Sequence, residues 1–499
     1  MKTCLLVTKK TIEVTKEMVI GNKNIVVGCS KNGKSTLDGA TLKVYCYSRC
    51  STCKKALKWL DNNGIAYEEA DIKTDHPDEE SLRTYYAMSN LSSEPVNVQS
   101  RKESYMALGF DFYTPTKIVF GKGSSDRIGE LLKEQGSRKT LVVYGSGSVV
   151  RSGLLERVLK KMDEAGISHC ELGGVVPNPR LSKVYEGIDL ARKEGVGFIL
   201  AVGGGSVIDT AKAISYGLAD DGDVWDFYEH TRQAKACYPV GSILTIAAAG
   251  SETSDGSVIT NDKTDSKRAF GTDFGRPKFA VMDPELTMTL PDYQTMSGAT
   301  DIMMHTMERY FTCIETMEIT DAIAEGLMRV VMKHAKILHE EPKNYESRSE
   351  MMWSGSLAHN GLTGIGTDGG DWSCHQLEHE VGGMFDVAHG AGLAAVWGSW
   401  ARYVWKDAPD RFVNFAIRVH GVMPGADTEE TVMKGIQAQE DFYRSIGMPT
   451  SLSELGVSPT DEQKREMAKR CFAACGGPQG SVKKLQEEDM YQIYCLADH

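Results

Sequence analysis

Between residues 139 and 290 the chain alternates short apolar runs with amphipathic stretches. KTLVVYG is a buried-type run that breaks at glycine, and SVVRSGLLERVLKKM then carries apolar residues at helical spacing. GFILAVGGGSVIDTAKAISYG repeats the layout 58 residues later, counted from Gly145 to Gly203. YPVGSILTI and RPKFAVMDPEL add two more strand-type runs. Strands that are apolar throughout and separated by helices predict a parallel sheet covered on both faces, here over residues 112–290. Beyond TLPDYQT these runs stop. SGATDIMMHTMERYF, TDAIAEGLMRVVMKHAKIL, RSEMMWSGSLAHNGL and EETVMKGIQAQEDFYRSIG space apolar residues three and four apart, so residues 291–499 are predicted to form a helical domain.

The N-terminal part reads differently. LKVYC predicts a strand, SRCSTC a turn, KKALKWLDNNG a helix ending at Gly64, and AYEEADI a second strand. Cys50 and Cys53 form a Cys-x-x-Cys at the start of that helix, where the helix dipole favours a thiolate on Cys50. Residues 42–109 resemble the arsenate-reductase branch of the thioredoxin-like proteins. That family continues with a strand hairpin and a helix, whereas here DFYTPTKIVFGKG begins at once. A half-sheet with open edges is marginal alone, so a vestigial or docking module is expected rather than an independent reductase. Residues 1–41 are read as a poorly ordered lead-in without an assigned role.

Composition narrows the classes. At 499 residues the chain exceeds one domain, and 41% hydrophobic with 25% charged residues leaves a large core. A net charge of −12 disfavours binding a polyanion such as nucleic acid. No apolar run approaches the length of a membrane span, and the run in MKTCLLVTKKTIEV is too short for a secretory signal. The 12 cysteines are scattered, which suits a reducing, cytoplasmic setting.

Two glycine-rich loops follow apolar strands and precede helices. In AVGGGSVIDTAK, Gly204, Gly205 and Ser206 would let a phosphate approach the backbone at a helix N-terminus. The loop YGSGSVVRSG offers Ser146, Gly147, Ser148 and Arg151, with no carboxylate until Glu156. Hydroxyls and a guanidinium suit a ribose 2′-phosphate, whereas NAD-selective loops place an acidic group there. NADP(H) is therefore expected over NAD(H).

Candidate metal chemistry sits in the helical half. Asp301 and His305 are four apart and share a helix face. His375, His379 and His389 lie within DWSCHQLEHEVGGMFDVAHG. One carboxylate with several imidazoles is a common divalent-metal set, although Asp301 and His305 alone could be a hydrogen-bonded core pair. HQLEH also fits H-x-x-E-H, the arrangement of inverzincin metallopeptidases, with Glu378 as general base between His375 and His379. That alternative leaves both glycine-rich loops unexplained. A third reading makes the protein a redox-sensing scaffold acting through Cys50 and Cys53.

TPTKIVFGKG, VPNPR, AVGGGSVIDTAK, AGSETS, VMDPELT, GATDIMMH and HQLEHEVGGMFDVAHG occur in an order that resembles the iron-containing alcohol dehydrogenase family. Within it the likeness is to the NADPH-dependent butanol dehydrogenase and aldehyde reductase branch. The resemblance covers residues 112–499. It implies a dehydroquinate-synthase-like fold: an α/β dinucleotide-binding domain, then an all-helical metal-binding domain, preceded here by the partial thioredoxin-like segment. It implies Asp301, His305, His375 and His389 as ligands of one Fe²⁺ or Zn²⁺, with His379 free to meet substrate and nicotinamide and relay a proton. It adds Asn178, Asp209, Thr245 and Lys267 to Ser146, Gly147, Ser148, Arg151, Gly204, Gly205 and Ser206 around the cofactor. It implies hydride transfer between NADP(H) and a primary alcohol or aldehyde, butanol and butanal being the pattern. A homodimer joined through KIVF is implied too. Ala249 departs from the pattern, which has Thr there.

Overall fold

The computed structural model describes residues 26–30, 41–46 and 67–71 and the continuous stretch 108–499. The chain divides into two compact units, Met1–Glu103 and Ser104–His499. In the first, β1 (Val26–Ser30) pairs antiparallel with β2 (Thr41–Cys46), and β2 pairs parallel with β3 (Tyr67–Asp71). The parallel β2–β3 pair is the strand pair expected from LKVYC and AYEEADI. β1 lies inside the segment read as a poorly ordered lead-in; its VVGCS run is β-branched and apolar, as a strand requires. Cys50 and Cys53 fall outside the described residues.

The second unit opens on a six-stranded parallel sheet of order β4-β11-β8-β7-β5-β6. Its strands are β4 (Lys117–Phe120), β5 (Lys139–Gly145), β6 (Ser168–Val175), β7 (Phe198–Gly203), β8 (Val240–Leu244) and β11 (Phe279–Met282). Every residue of β7, β8 and β11 is buried, because helices cover both faces. On these faces lie α1 (Ile128–Glu134), α2 (Leu154–Glu164), α3 (Leu181–Glu194) and α4 (Gly205–Leu218). The chain turns from one side of the sheet to the other between the neighbours β5 and β7, and both glycine-rich loops leave the C-terminal ends of these two strands. Such a switch point is where open α/β sheets bind ligands.

An antiparallel hairpin, β9 (Gly256–Asn261) and β10 (Ser266–Gly271), was not anticipated from the sequence. Its alternation is weak, with Lys267 and Arg268 carried among its strand residues. Beyond β11 come α5 (Asp292–Tyr310), α6 (Glu318–Glu340), α7 (Tyr345–His359), α8 (Ser373–Phe385), α9 (His389–Val404), α10 (Thr428–Ser445), α11 (Asp461–Ala474) and α12 (Glu487–Ala497). Their shared core includes Met303, Met307, Phe311, Trp397, Trp400 and Tyr443. Among the described residues no helix is long and apolar enough to cross a membrane.

The two lobes of this unit meet through unusually close backbone approaches. A Cβ on Gly298 of α5 would lie 2.3 Å from the carbonyl oxygen of Ala247, just beyond β8. Backbone cannot yield as a side-chain tip does, so overpacking there should cost about 1–3 kcal/mol. Gly298→Ala is expected to lower the urea midpoint accordingly, while Gly109→Ala, with open space around it, leaves the midpoint unchanged. Equilibrium urea unfolding of both variants checks this.

Candidate metal centre

Helix α5 is buried almost all round at its centre, so its polar residues must find partners inside the protein. Asp301 and His305 are one turn apart and face the same way. The Oδ1 atom of Asp301 lies 3.4 Å from His305 Nδ1, 3.7 Å from His375 Nε2 and 3.7 Å from His389 Nε2. Asp301 Oδ1, His305 Nδ1 and His375 Nε2 are buried and have no hydrogen-bond partner among the described residues. Atoms each about 2.1 Å from one ion at tetrahedral angles stand about 3.4 Å apart. The spacing, the lack of competing partners and the donor set of one carboxylate and three imidazoles all fit a divalent cation. The four residues come from three elements, α5, α8 and the first residue of α9.

Each of these elements is held from outside. Asp371, ahead of α8, accepts from the backbone N–H groups of Ser373 at 3.1 Å, Ser481 at 2.7 Å and Val482 at 2.8 Å. Burial lifts its carboxyl to about 7. Both ends of α8 are non-glycine residues in the left-handed region, Trp372 (φ 61°) and Asp386 (φ 51°). The Trp372 ring stands 5.3 Å from that of His375 and 6.1 Å from that of His305. At the other end Asp386 accepts from Asn178 at 3.0 Å and Arg180 at 3.1 Å, both from the loop after β6. A Cβ on Gly390 would lie 2.0 Å from the Ser297 carbonyl oxygen, so only glycine brings the start of α9 this close to α5.

Two glutamates stand behind the histidines. Glu308, one helical turn beyond His305, receives His375 Nδ1 at 3.0 Å and the His375 backbone N–H at 2.9 Å. Glu378 bonds His389 Nδ1 and accepts from Lys267 Nζ at 3.2 Å. Burial opposes charge on Glu378, but His389 and Lys267 overcome this and hold its carboxyl well below the usual range. For His375 burial is outweighed by Asp301 and Glu308, which raise it to about 9. His305 is pushed well below the ordinary histidine range, chiefly by burial. Its ring packs 4.0 Å from that of His359, which Arg309 approaches at 3.4 Å. Glu308, His359 and Arg309 were not singled out from the sequence. Glu308 had a readable signal, since Asp301, His305 and Glu308 recur on one helix face.

His379 is buried on α8, and burial holds it well below the ordinary range. Its ring lies 5.9 Å from that of His389, and its donor atom groups with those of Glu378 and His389 rather than with Asp301. The H-x-x-E-H reading required Glu378 to face the metal as a general base. Glu378 is instead committed to His389 and Lys267, which removes the basis for a peptidase.

The residues expected around the cofactor gather at the C-terminal edge of the sheet. Ser146, Gly147, Ser148 and Arg151 follow β5, Gly204, Gly205 and Ser206 follow β7, Asn178 follows β6 and Thr245 follows β8. The Arg151 guanidinium folds back over Gly147, where a Cβ would lie 2.7 Å from its Nη1. A Cβ on Gly205 would be 3.0 Å from the Ala249 methyl, so the departure at 249 stands directly against the phosphate-loop glycine. Asp209 turns inward: it accepts from Ser251 Oγ and, at 3.0 Å, from the Val258 N–H. Lys267 points to Glu378 and lies 3.4 Å from His389 Nδ1. Lys212, also not singled out, donates to the carbonyls of Ser254 at 2.9 Å and Gly256 at 2.7 Å, tying α4 to the 249–256 loop. Burial, only partly offset by Asp209, brings its pKa down to about 8.

Known proteins match this chain along the same lines. A family model described as iron-containing alcohol dehydrogenase matches residues 115–284, and one described as the Fe-containing alcohol dehydrogenase family, C-terminal, matches 295–497. A glutaredoxin model matches 42–96. NADH-dependent butanol dehydrogenase A of Clostridium acetobutylicum is 41% identical over 388 residues, 78% of this chain and 99% of that protein. NADPH-dependent aldehyde reductase YqhD of Escherichia coli is 35% identical, covering 70% of this chain and 89% of that one. The crystal structure of NADH-dependent butanol dehydrogenase A from Thermotoga maritima superposes with a TM-score of 0.76 at 38% identity, covering 79% of this chain and 99% of its own. Carrying the α/β lobe, the helical lobe and the clustered carboxylate and imidazoles of residues 115–497, the chain belongs to the iron-containing alcohol dehydrogenase family.

Proposed function

We propose that this NAD(P)-dependent oxidoreductase reduces primary aldehydes such as butanal with NADPH, using one divalent ion held by Asp301, His305, His375 and His389. The convergence of three imidazole nitrogens on Asp301 Oδ1, at 3.4–3.7 Å, carries the reading. Iron and zinc both accept this donor set, so either ion suits it. When bound, such an ion supplies Lewis-acid polarisation of an oxygen, an effect worth several kcal/mol. Burial pushes His379 below the ordinary histidine range, and it is the imidazole outside the proposed ligand set; it would give its ring N–H proton to the product oxygen while its other nitrogen takes one from solvent. The glycine-rich loops after β5 and β7 flank the switch point and let a pyrophosphate approach the N-terminus of α4. Apolar contacts discriminate a methylene by only about 1–3 kcal/mol, so a range of aldehydes is expected to react.

Asp301→Ala is expected to abolish metal uptake and lower kcat/KM for butanal by at least about a thousandfold, matching the loss of several kcal/mol. Metal analysis and steady-state kinetics on the same preparation check it. Butanal turnover retained by metal-free protein would overturn the assignment.

The cofactor preference rests on the loop 146–151, which carries two serines and Arg151 and no carboxylate. Among the relatives, the butanol dehydrogenases A are named NADH-dependent and YqhD NADPH-dependent. Arg151→Ala is expected to raise KM for NADPH by about tenfold or more, the worth of a charge-assisted hydrogen bond, with KM for NADH unchanged. A wild-type preference for NADH in the same assay would refute the NADP(H) reading.

A further inference from the structure

Of the four residues proposed to hold the metal, His389 is the least enclosed. Its side chain is 27% exposed, against 5–6% for Asp301, His305 and His375. It is also the first residue of α9, so only a short backbone stretch defines its position. An imidazole placed this way can rotate about its side-chain bonds, and either ring nitrogen can carry the proton. Its Nδ1 faces two charged groups, Glu378 and Lys267, while its Nε2 lies 3.7 Å from Asp301 Oδ1. A carboxylate on Nδ1 keeps the proton there and leaves the Nε2 lone pair toward Asp301.

The place of Glu378 has been built at some cost to packing. Its side chain is 0% exposed, and Lys267, 5% exposed, supplies the opposite charge at 3.2 Å. Two glycines make room for it. A Cβ on Gly382 would stand 2.8 Å from Glu378 Oε1, and one on Gly392 would stand 2.9 Å from its Cγ. These glycines come from different helices, α8 and α9. A buried ion pair replaced by apolar residues is often neutral or stabilising, so bulk stability does not account for keeping one here.

We propose that Glu378, neutralised by Lys267, is a positioning residue that orients His389 for metal binding, as Glu308 does for His375. The inference rests on the metal-centre reading above. It assigns the middle acid of HQLEH a role behind a ligand, with Lys267 allowing a carboxylate there without adding net negative charge.

The test uses the full chain, loaded with Zn²⁺ alone and titrated against a competing chelator. Glu378→Gln keeps the shape and an acceptor but loses the charge and the pairing with Lys267. It is expected to weaken Zn²⁺ affinity about 10–100-fold. Lys267 loses its buried counter-charge, so the thermal midpoint of the metal-free form should fall, and the rise in midpoint on adding Zn²⁺ should shrink as well, while kcat should recover most of its value at saturating Zn²⁺. Gly392→Ala, which crowds the same carboxylate, should shift affinity in the same direction and serves if Glu378→Gln does not fold. Zn²⁺ affinity within twofold of wild type in a folded Glu378→Gln protein would overturn the proposal. So would an equal destabilisation of the metal-free and loaded forms. Zn²⁺ uptake by Asp301→Ala protein equal to that of wild type would overturn the metal-centre reading itself.

Discussion

The rest of the helical lobe is arranged around a carboxylate taken out of water beside three imidazoles. Asp301 is 4% exposed, and its Oδ1 faces nitrogens from three elements without a hydrogen bond to any of them. An uncompensated carboxylate in such surroundings costs several kcal/mol. His375, raised by Asp301 and Glu308, supplies part of the missing charge, while burial drives His305 toward the neutral form. On the proposed reading a divalent cation held here supplies the remaining charge, and the apolar packing of α5, α8 and α9 can then be dense without leaving the donors stranded.

A ring of ion pairs surrounds that centre and joins the lobes of the second unit. The β9–β10 hairpin sends Lys267 to Glu378 and Arg268 to Glu380 at 2.9 Å, while Arg470 of α11 reaches Glu380 at 2.9 Å from another side. Asn178 and Arg180 hold Asp386 at the far end of α8. The helix that carries His375 and His379 is thus gripped by cofactor-lobe residues along its length. Exposed ion pairs add little to stability, but Glu378 and Glu380 are 0–2% exposed, so breaking one would leave a buried charge. A shift of one lobe on the other would therefore carry α8, and with it His375, along.

Much of this was legible in the chain. Fully apolar runs between helical patterns predicted the parallel sheet, and β5, β7, β8 and β11 lie within KTLVVYG, GFILAVGGG, YPVGSILTI and RPKFAVMDPEL. The four-residue spacing of Asp301 and His305 placed both on one face of α5. The β9–β10 hairpin escaped notice because it sits between other elements and carries charges at positions that a half-buried strand would fill with apolar side chains. Those charges are the ones that reach Glu378 and Glu380 across more than a hundred residues of sequence. The H-x-x-E-H alternative fails for the same reason: a local pattern records who is near in the chain, and the partners of Glu378 are Lys267 and His389.

Backbone contact sets the finest level of the geometry, and it is the least visible in sequence. Gly298 rests on the Ala247 carbonyl and Gly390 on the Ser297 carbonyl, while Gly382 and Gly392 leave space for the Glu378 side chain. Read singly, each is a weak helix former that costs about 1 kcal/mol relative to alanine. Read together, they lie where α5 meets β8, where α9 meets α5, and where α8 and α9 enclose a carboxylate. A methyl group at Gly298 or Gly390 would meet backbone, whereas at Gly382 or Gly392 it would crowd the Glu378 side chain. Metal ligands tolerate little displacement, because bond lengths in these sites vary by only about 0.2 Å. On the proposed metal-centre reading, glycine at 298 and 390 is worth its conformational cost because a bulkier residue there would shift α5 and α9, which carry Asp301 and His389.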